Sequence, residues 1–345
     1  MGKKLAKLAA GSILAGSLLV GGCSLIPKDE TVVIDPPKDV TYKSGKLDEL
    51  TKGTSDGVLN TDLYVRSEEG YIMPVTVFLP ETTSVAKQVL QYLVMGGPAL
   101  NVLPSGFTPI LPKGTEFEVN LQKDDTIVVN FNKKFLDYKE KDEQQIFESI
   151  TWSLTQFKEV KRVVVQVEGK VLTEKPFAKT PITNFSREMG INHDDNSVVD
   201  IRNSKTATVY YVTQEDESSY YVPVTKRMSN KDDVSTVEQI VNELVQGAGY
   251  SSPLVTEFNK DVVLNDAEIS KGNVTLNFNK NIYTNPKNKE ISSSLLHALV
   301  LSLTEQPSID TVKIKVEGES VAVDENGKKL TEPVTRPLHI NTGKF

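Results

Sequence analysis

One cysteine, one tryptophan and three histidines occur in this chain of 345 residues. A single cysteine excludes an internal disulfide framework, so the fold must be held by its core. The histidines, His193, His297 and His339, lie too far apart for zinc-ligand spacing. Basic residues are not in excess: 39 Lys and Arg face 46 Asp and Glu, a net charge of −7. That balance excludes the electrostatic footprint of a nucleic-acid binder. The chain has no Walker-type loop, no strand-linked Gly-x-Gly-x-x-Gly and no Gly-x-Ser-x-Gly elbow. Its one long apolar run, Leu8 to Val20, is too short to span a bilayer.

That run belongs to a processing segment. Lys3, Lys4 and Lys7 form a basic start, the apolar stretch follows, and Leu19-Val20-Gly21-Gly22-Cys23 resembles a bacterial lipobox. Residues 1–22 therefore read as a lipoprotein signal peptide and Cys23 as the lipid-attachment site, with palmitate among its acyl chains. Cleavage would remove three lysines and no acid, taking the net charge to −10. An acidic body at a membrane is expected to meet partners rather than the anionic lipid itself. Residues 23–58, rich in Pro, Gly and charge, are expected to be a flexible tether with an r.m.s. reach of roughly 30 Å.

The remainder is written twice. Thr126-Ile-Val-Val-Asn-Phe-Asn-Lys133 returns as Asn273-Val-Thr-Leu-Asn-Phe-Asn-Lys280. Ser-Leu-Thr at 153–155 returns at 302–304, and Val-Glu-Gly at 167–169 returns at 316–318, both 149 residues on. A near-constant offset means two copies of one domain, expected at 59–184 and 204–345 with a linker at 185–203.

Within each copy the hydrophobic period changes in a fixed order. Strands are expected near 62–66 and 71–79, a helix at 84–95, a hairpin over 116–132, a helix near 142–158 and a strand at 162–168. The second copy repeats this, with Ser235 and Glu238 forming a capping box. Asp324-Glu-Asn-Gly327 marks a longer terminal hairpin in that copy. The pattern β-β-α-β-β-α-β predicts an α+β fold, two tandem repeats of a small domain with helices on one face of the sheet. Ile127, Val129 and Phe131, like Val274, Leu276 and Phe278, are expected to face the core. The helices are expected to bury one stripe each, Ile146/Ile150/Leu154/Phe157 and Ile291/Leu295/Leu299/Leu303.

Candidate chemistry is thin. No catalytic residue, cofactor site or metal site is expected. His297 falls on a polar helix position expected to be solvated. Asn130 with Asn132, and Asn277 with Asn279, place paired amides on one sheet face, where they either bind a glycan or peptide or tie the strand to the next loop.

These segments resemble the GerMN domain. In the first copy the resemblance is carried by Leu93 with Gly97-Pro98, Leu111-Pro-Lys-Gly-Thr115, Val129-Asn-Phe-Asn132, Ser153-Leu-Thr-Gln-Phe157 and Val165 to Gly169. In the second it is carried by Leu244 with Gly247, Leu276-Asn-Phe-Asn279, Ser302-Leu-Thr304 and Ile314 to Gly318. The second copy lacks Gly-Pro after its first helix and the Leu-Pro-Lys-Gly-Thr segment. Two such domains behind a lipobox resemble the spore germination lipoproteins of endospore formers. The resemblance implies a fold similar to ring-building modules and a non-enzymatic role in sporulation and germination. It implies an assembly or localisation factor for the mother cell–forespore channel complex, whose other proteins would be its partners. The expected location is the extracytoplasmic face of the mother-cell membrane, anchored through Cys23 and facing the intermembrane space. Alternatives are a peptidoglycan-binding or wall-remodelling protein, and a solute- or germinant-binding lipoprotein.

Overall fold

The computed structural model describes residues 58–80, 82–194, 202–215, 218–230, 234–249 and 252–342. Cys23, the leader and the tether to residue 57 lie outside the described residues. Among the described residues no helix is long and apolar enough to cross a membrane.

The first repeat opens with a hairpin, β1 (Val58–Arg66) and β2 (Ile72–Pro80). Helix α1 (Val85–Leu93) follows. A four-stranded sheet is then built from β3 (Phe117–Leu121), β4 (Thr126–Phe131), β5 (Arg162–Val167) and β6 (Lys170–Val171), in that spatial order. β4 and β5 run parallel, joined by the crossover containing α2 (Glu143–Leu154). The second repeat copies the plan. β7 (Ser204–Glu215) and β8 (Ser218–Ser229) form its hairpin, and α3 (Thr236–Gln246) follows. β9 (Leu264–Ser270), β10 (Asn273–Phe278), β11 (Thr311–Val316) and β12 (Val334–Thr335) form its sheet, with α4 (Ser293–Leu303) in the parallel crossover. The fold is thus the expected α+β tandem, with the strands of each repeat divided between a hairpin and a separate sheet.

The helices are buried more completely than one apolar stripe predicts. In α2 every residue from Ile146 to Leu154 is buried, polar Glu148, Ser149, Thr151 and Ser153 included. The reason is that α2 packs on β1 and β2 as well as on β5, so a wide arc of its surface meets protein. Hydrogen bonds make this tolerable for Glu148, Ser149 and Ser153. Ser149 Oγ donates to Tyr64 O at 2.6 Å, and Ser153 Oγ accepts from Tyr64 N at 2.9 Å. His297 on α4 is likewise half-buried rather than solvated. Its Nδ1 lies 3.3 Å from the Tyr221 hydroxyl, and burial lowers its pKa.

The central strands keep the expected phase: Ile127, Val129 and Phe131 are buried, as are Val274, Leu276 and Phe278. Phe131 stacks on Phe135 at 4.2 Å. The capping box of α3 forms, with Ser235 Oγ accepting from Glu238 N and Glu238 accepting from Ser235 N. In the second copy's extra segment Asp324 caps its own turn through Asn326 N and Lys328 N, both 2.9 Å from Oδ1. The long loop after α1 reaches the other repeat, where Phe107 packs edge-on against Tyr220 at 5.0 Å.

Part of the segment expected to be a linker is packed. Phe185 is buried and pairs with Val163, and Ile191 is fully buried. Residues 195–201 lie outside the described residues.

Candidate functional site: the clasp between the repeats

The amides singled out by the sequence are tied to local structure. Asn130 Oδ1 accepts from Gly169 N at 2.8 Å, and Asn277 Oδ1 accepts from Gly318 N at 2.8 Å. Each of these glycines follows a glutamate that also has positive φ: Glu168 at 51° and Gly169 at 75°, Glu317 at 52° and Gly318 at 84°. Two successive left-handed residues define the tight turn that reverses β5 and its counterpart β11, which explains why Val-Glu-Gly recurs. Asn132 Nδ2 donates to Gly114 O at 3.1 Å, and Asn279 Nδ2 donates to Asp261 O at 2.9 Å. The Asn-Phe-Asn motif therefore fastens a turn, fills a core and fastens a loop. The histidines are dispersed: His193 contacts Met189 O, His297 Tyr221 and His339 Asn60.

The dense polar constellation lies elsewhere, where β2 packs against β8. Each hairpin ends there on its second strand, an edge that carries a proline, Pro74 or Pro223. A proline has no N–H to offer a neighbouring strand. The missing donors come from two asparagines. Asn192 Nδ2 donates to Ile72 O at 2.7 Å and to Pro223 O at 2.8 Å, while its Oδ1 accepts from Ile72 N. Asn341 Nδ2 donates to Tyr221 O and Pro74 O, both at 2.8 Å, while its Oδ1 accepts from Tyr221 N. The preceding isoleucines cross over in the same way. Thr225 N donates to Ile191 O and Thr76 N to Ile340 O, each at 2.8 Å. Ile191 N is held by Thr225 Oγ1 and Ile340 N by Thr76 Oγ1. Each repeat thus holds the second strand of the other, the reciprocal pattern of a twofold dimer written into one chain.

At the centre of the clasp the reciprocity is broken by charge. Arg187 and Arg336, again 149 residues apart, both reach Glu305, at 2.6 Å to Oε2 and 2.6 Å to Oε1 respectively. Arg187 lies over the Trp152 ring at 4.3 Å, and its Nε donates to Thr155 Oγ1. Arg336 donates to Thr304 Oγ1, Leu301 O and the Tyr210 hydroxyl. Burial alone would raise the Glu305 pKa; the two guanidiniums and the Tyr210 hydroxyl outweigh it and push it down to about 2. The counterpart of Glu305 in the first repeat is neutral Gln156, bonded to the backbone of Asp62. Asp62 is itself half-buried, and loss of solvent raises its pKa; Thr76 Oγ1 donates to it and partly offsets the shift. The two arginines thus share the one Glu305 carboxylate, and Gln156 adds no second charge on the first repeat's side.

Sequence reasoning passed over these residues, although a signal exists. Arg-x-x-x-Ile-Asn occurs at 187–192 and again at 336–341, at the same spacing as the other repeats. The first copy sits in the stretch expected to be a linker.

Fold and clasp together define a class: a protein of two duplicated α+β modules locked face to face through reciprocal contacts. The family model Germane, described as sporulation and spore germination, matches residues 62–173 and 208–322, one span in each repeat. The chain belongs to this family. It is 40% identical, over an alignment of 367 positions, to the spore germination protein GerM of Bacillus subtilis (strain 168), covering 99% of this chain and 100% of that protein. The solved tandem GerMN domains of the sporulation protein GerM from Bacillus subtilis are similar, with a TM-score of 0.77 and 43% identity over 82% of this chain and 99% of that one.

Proposed function

We propose that this protein is a non-enzymatic envelope lipoprotein required for sporulation and germination. Cys23 carries the lipid, and the folded tandem faces the space between mother cell and forespore. There it acts as an assembly or localisation factor for the channel complex joining the two cells. The observation carrying this reading is the family match in both repeats, extended by 40% identity to GerM over 99% of the chain. The clasp supports it. The molecule's most elaborate polar network is spent on fixing two modules as one body, which suits a scaffold presenting fixed outer surfaces.

Peptidoglycan as the partner drew on the amide-bearing sheet face, and both amide oxygens there are engaged by turns. We therefore keep to the assembly reading.

The test is complementation. In a sporulating strain lacking its own relative, this chain is expected to restore localisation of channel components and spore yield. A Cys23→Ala form is expected to leave the membrane fraction and restore neither. Correct localisation of those components in the uncomplemented strain would overturn the proposal.

A further inference from the structure

β9 is the outermost strand of the second sheet, which runs β12-β11-β10-β9. Asp266, Glu268 and Ser270 stand opposite Asn277, Thr275 and Asn273 of β10. Those three residues of β10 turn their main-chain groups towards β9, because Phe278 O and Gly272 O turn the other way, to Glu317 N and Thr311 N. Ala267 and Ile269 therefore aim their N–H and C=O groups outward from the sheet. Among the described residues no main-chain group bonds them. Five of the seven residues of β9 are exposed, Ile269 with 49% of its surface. The register shifts only at the Asn277/Phe278 end, so the edge is regular from Asp266 to Ser270. The counterpart edge, β3, is better covered: Leu121 is buried, and Phe117 and Val119 pack on the core.

Side chains alternate along this edge. Asp266 and Glu268 lie on the outer face of the sheet, whereas Ala267 and Ile269 share the face of buried Leu276 and Val274. Among the described residues neither acid has an ion-pair partner. Lys315 and Lys313, in register with Asn277 and Thr275, stand two strands away, roughly 10 Å. A closed edge turns a charge towards the core side or carries a bulge that twists it away. β9 has apolar residues on its core side and its irregularity at one end, so it stays open to a strand of the right charge. A second copy has the wrong charge. Antiparallel pairing centred on Ala267 sets Asp266 opposite Glu268, and centred on Glu268 it sets that residue opposite itself; like charges directly opposite are destabilising. β3 of another copy brings Glu116 and Glu118 and is repelled likewise.

We propose that β9 is a docking edge for an extended segment of another protein in which basic residues alternate with aliphatic ones. Main-chain bonds to Ala267 and Ile269 add that segment as a fifth strand of the sheet. Its basic side chains stand opposite Asp266 and Glu268, and its aliphatic ones cover the exposed part of Ile269. The backbone supplies the attraction and the two acids choose the partner. β9 takes such a strand whether or not the tandem serves the channel complex.

The probe is a labelled peptide, Thr-Val-Lys-Ile-Lys-Val, which has the required alternation and copies Thr311–Val316. A second peptide has Glu for both lysines. Fluorescence anisotropy with the whole protein is expected to show the lysine peptide binding about tenfold tighter than the glutamate peptide. The order is expected to invert on the variant carrying Asp266→Lys and Glu268→Lys. At saturation with the lysine peptide, hydrogen exchange at the Ala267 and Ile269 amides is expected to slow about tenfold. Ala267→Pro removes an outward N–H and leaves the β10 ladder intact, as proline on an edge strand does. It is expected to abolish binding with the melting temperature little changed; the charge-reversed variant keeps the test independent of that fold. Equal binding of the two peptides, binding of neither, or undiminished binding to a folded Ala267→Pro protein would overturn the proposal. Self-association of the protein that Ala267→Pro abolishes would overturn it in favour of a second copy.

Discussion

Asn192 and Asn341, separated by 149 residues, perform the same task in opposite directions: each amide bonds the second hairpin strand of its own repeat and the proline carbonyl of the other. Both residues adopt left-handed backbone conformations, φ 44° and 58°, which asparagine tolerates better than most side chains. The choice of residue therefore satisfies the backbone and the clasp at once.

Replacing Asn341 with Ala is expected to lower unfolding stability by about 3 kcal/mol, because two carbonyls and one N–H lose their partner in a buried site. Asn341→Gly separates the causes: it restores the backbone freedom and recovers about 1 kcal/mol relative to Ala. Urea titration of both variants checks this. Equal stability of Ala and wild type would show that the amide network contributes nothing.

Glu305→Gln leaves two half-buried guanidiniums facing each other with no carboxylate, at an expected cost of about 3 kcal/mol, the low end for a broken buried pair. The pH dependence follows from the lowered pKa. Glu305 falls to about 2 in the folded state, so its contribution is present above the ordinary glutamate range and is lost as pH drops from about 4.5 through about 2. The stability gap between wild type and Glu305→Gln should therefore shrink steadily over that window. Half-buried Asp62 works the other way. Its raised pKa makes its contribution present at low pH and lost as pH rises through the folded value. Denaturant titration of both proteins at several acidic pH values resolves the two.

Gly190 sits against the other repeat with φ 77°, and its carbonyl accepts from Trp152 Nε1 at 3.0 Å. A β-carbon there would lie 2.6 Å from the His193 ring and 2.8 Å from Thr225. Gly190→Ala is expected to destabilise by about 2–3 kcal/mol, the strain of positive φ adding to the clash. Gly169→Ala offers the comparison, since its position shares positive φ but is open in space. It should cost about 1 kcal/mol. Thermal melts of the two variants distinguish crowding from backbone strain.

Asn130→Ala and Asn277→Ala each release one turn and should cost about 1 kcal/mol apiece. The sites lie in separate repeats, so the double variant should be close to additive. If the channel-assembly role is right, complementation by the double variant should match wild type. Loss of complementation by a stably folded double variant would return those amides to the list of partner-binding groups.

The sequence alone determined the duplication, the element order and the core phase of Ile127, Val129, Phe131 and their second-repeat counterparts. These are local properties, since alternation, capping and turn residues act over a few positions and leave their period in the chain. It also marked the repeated tripeptides without their reasons. Ser153 and Ser302 hold the backbone of the first hairpin strand, Leu154 and Leu303 fill the core, and Thr155 and Thr304 receive Arg187 and Arg336. Only the tertiary structure decided that the helices are buried beyond one stripe, because that depends on two layers closing over them. It alone turned Arg187, Asn192, Glu305, Arg336 and Asn341 into one constellation. Asn192 meets Pro223 across 31 residues and Asn341 meets Pro74 across 267. No local pattern encodes bonds over such separations; they exist once two folded modules present their proline edges to each other.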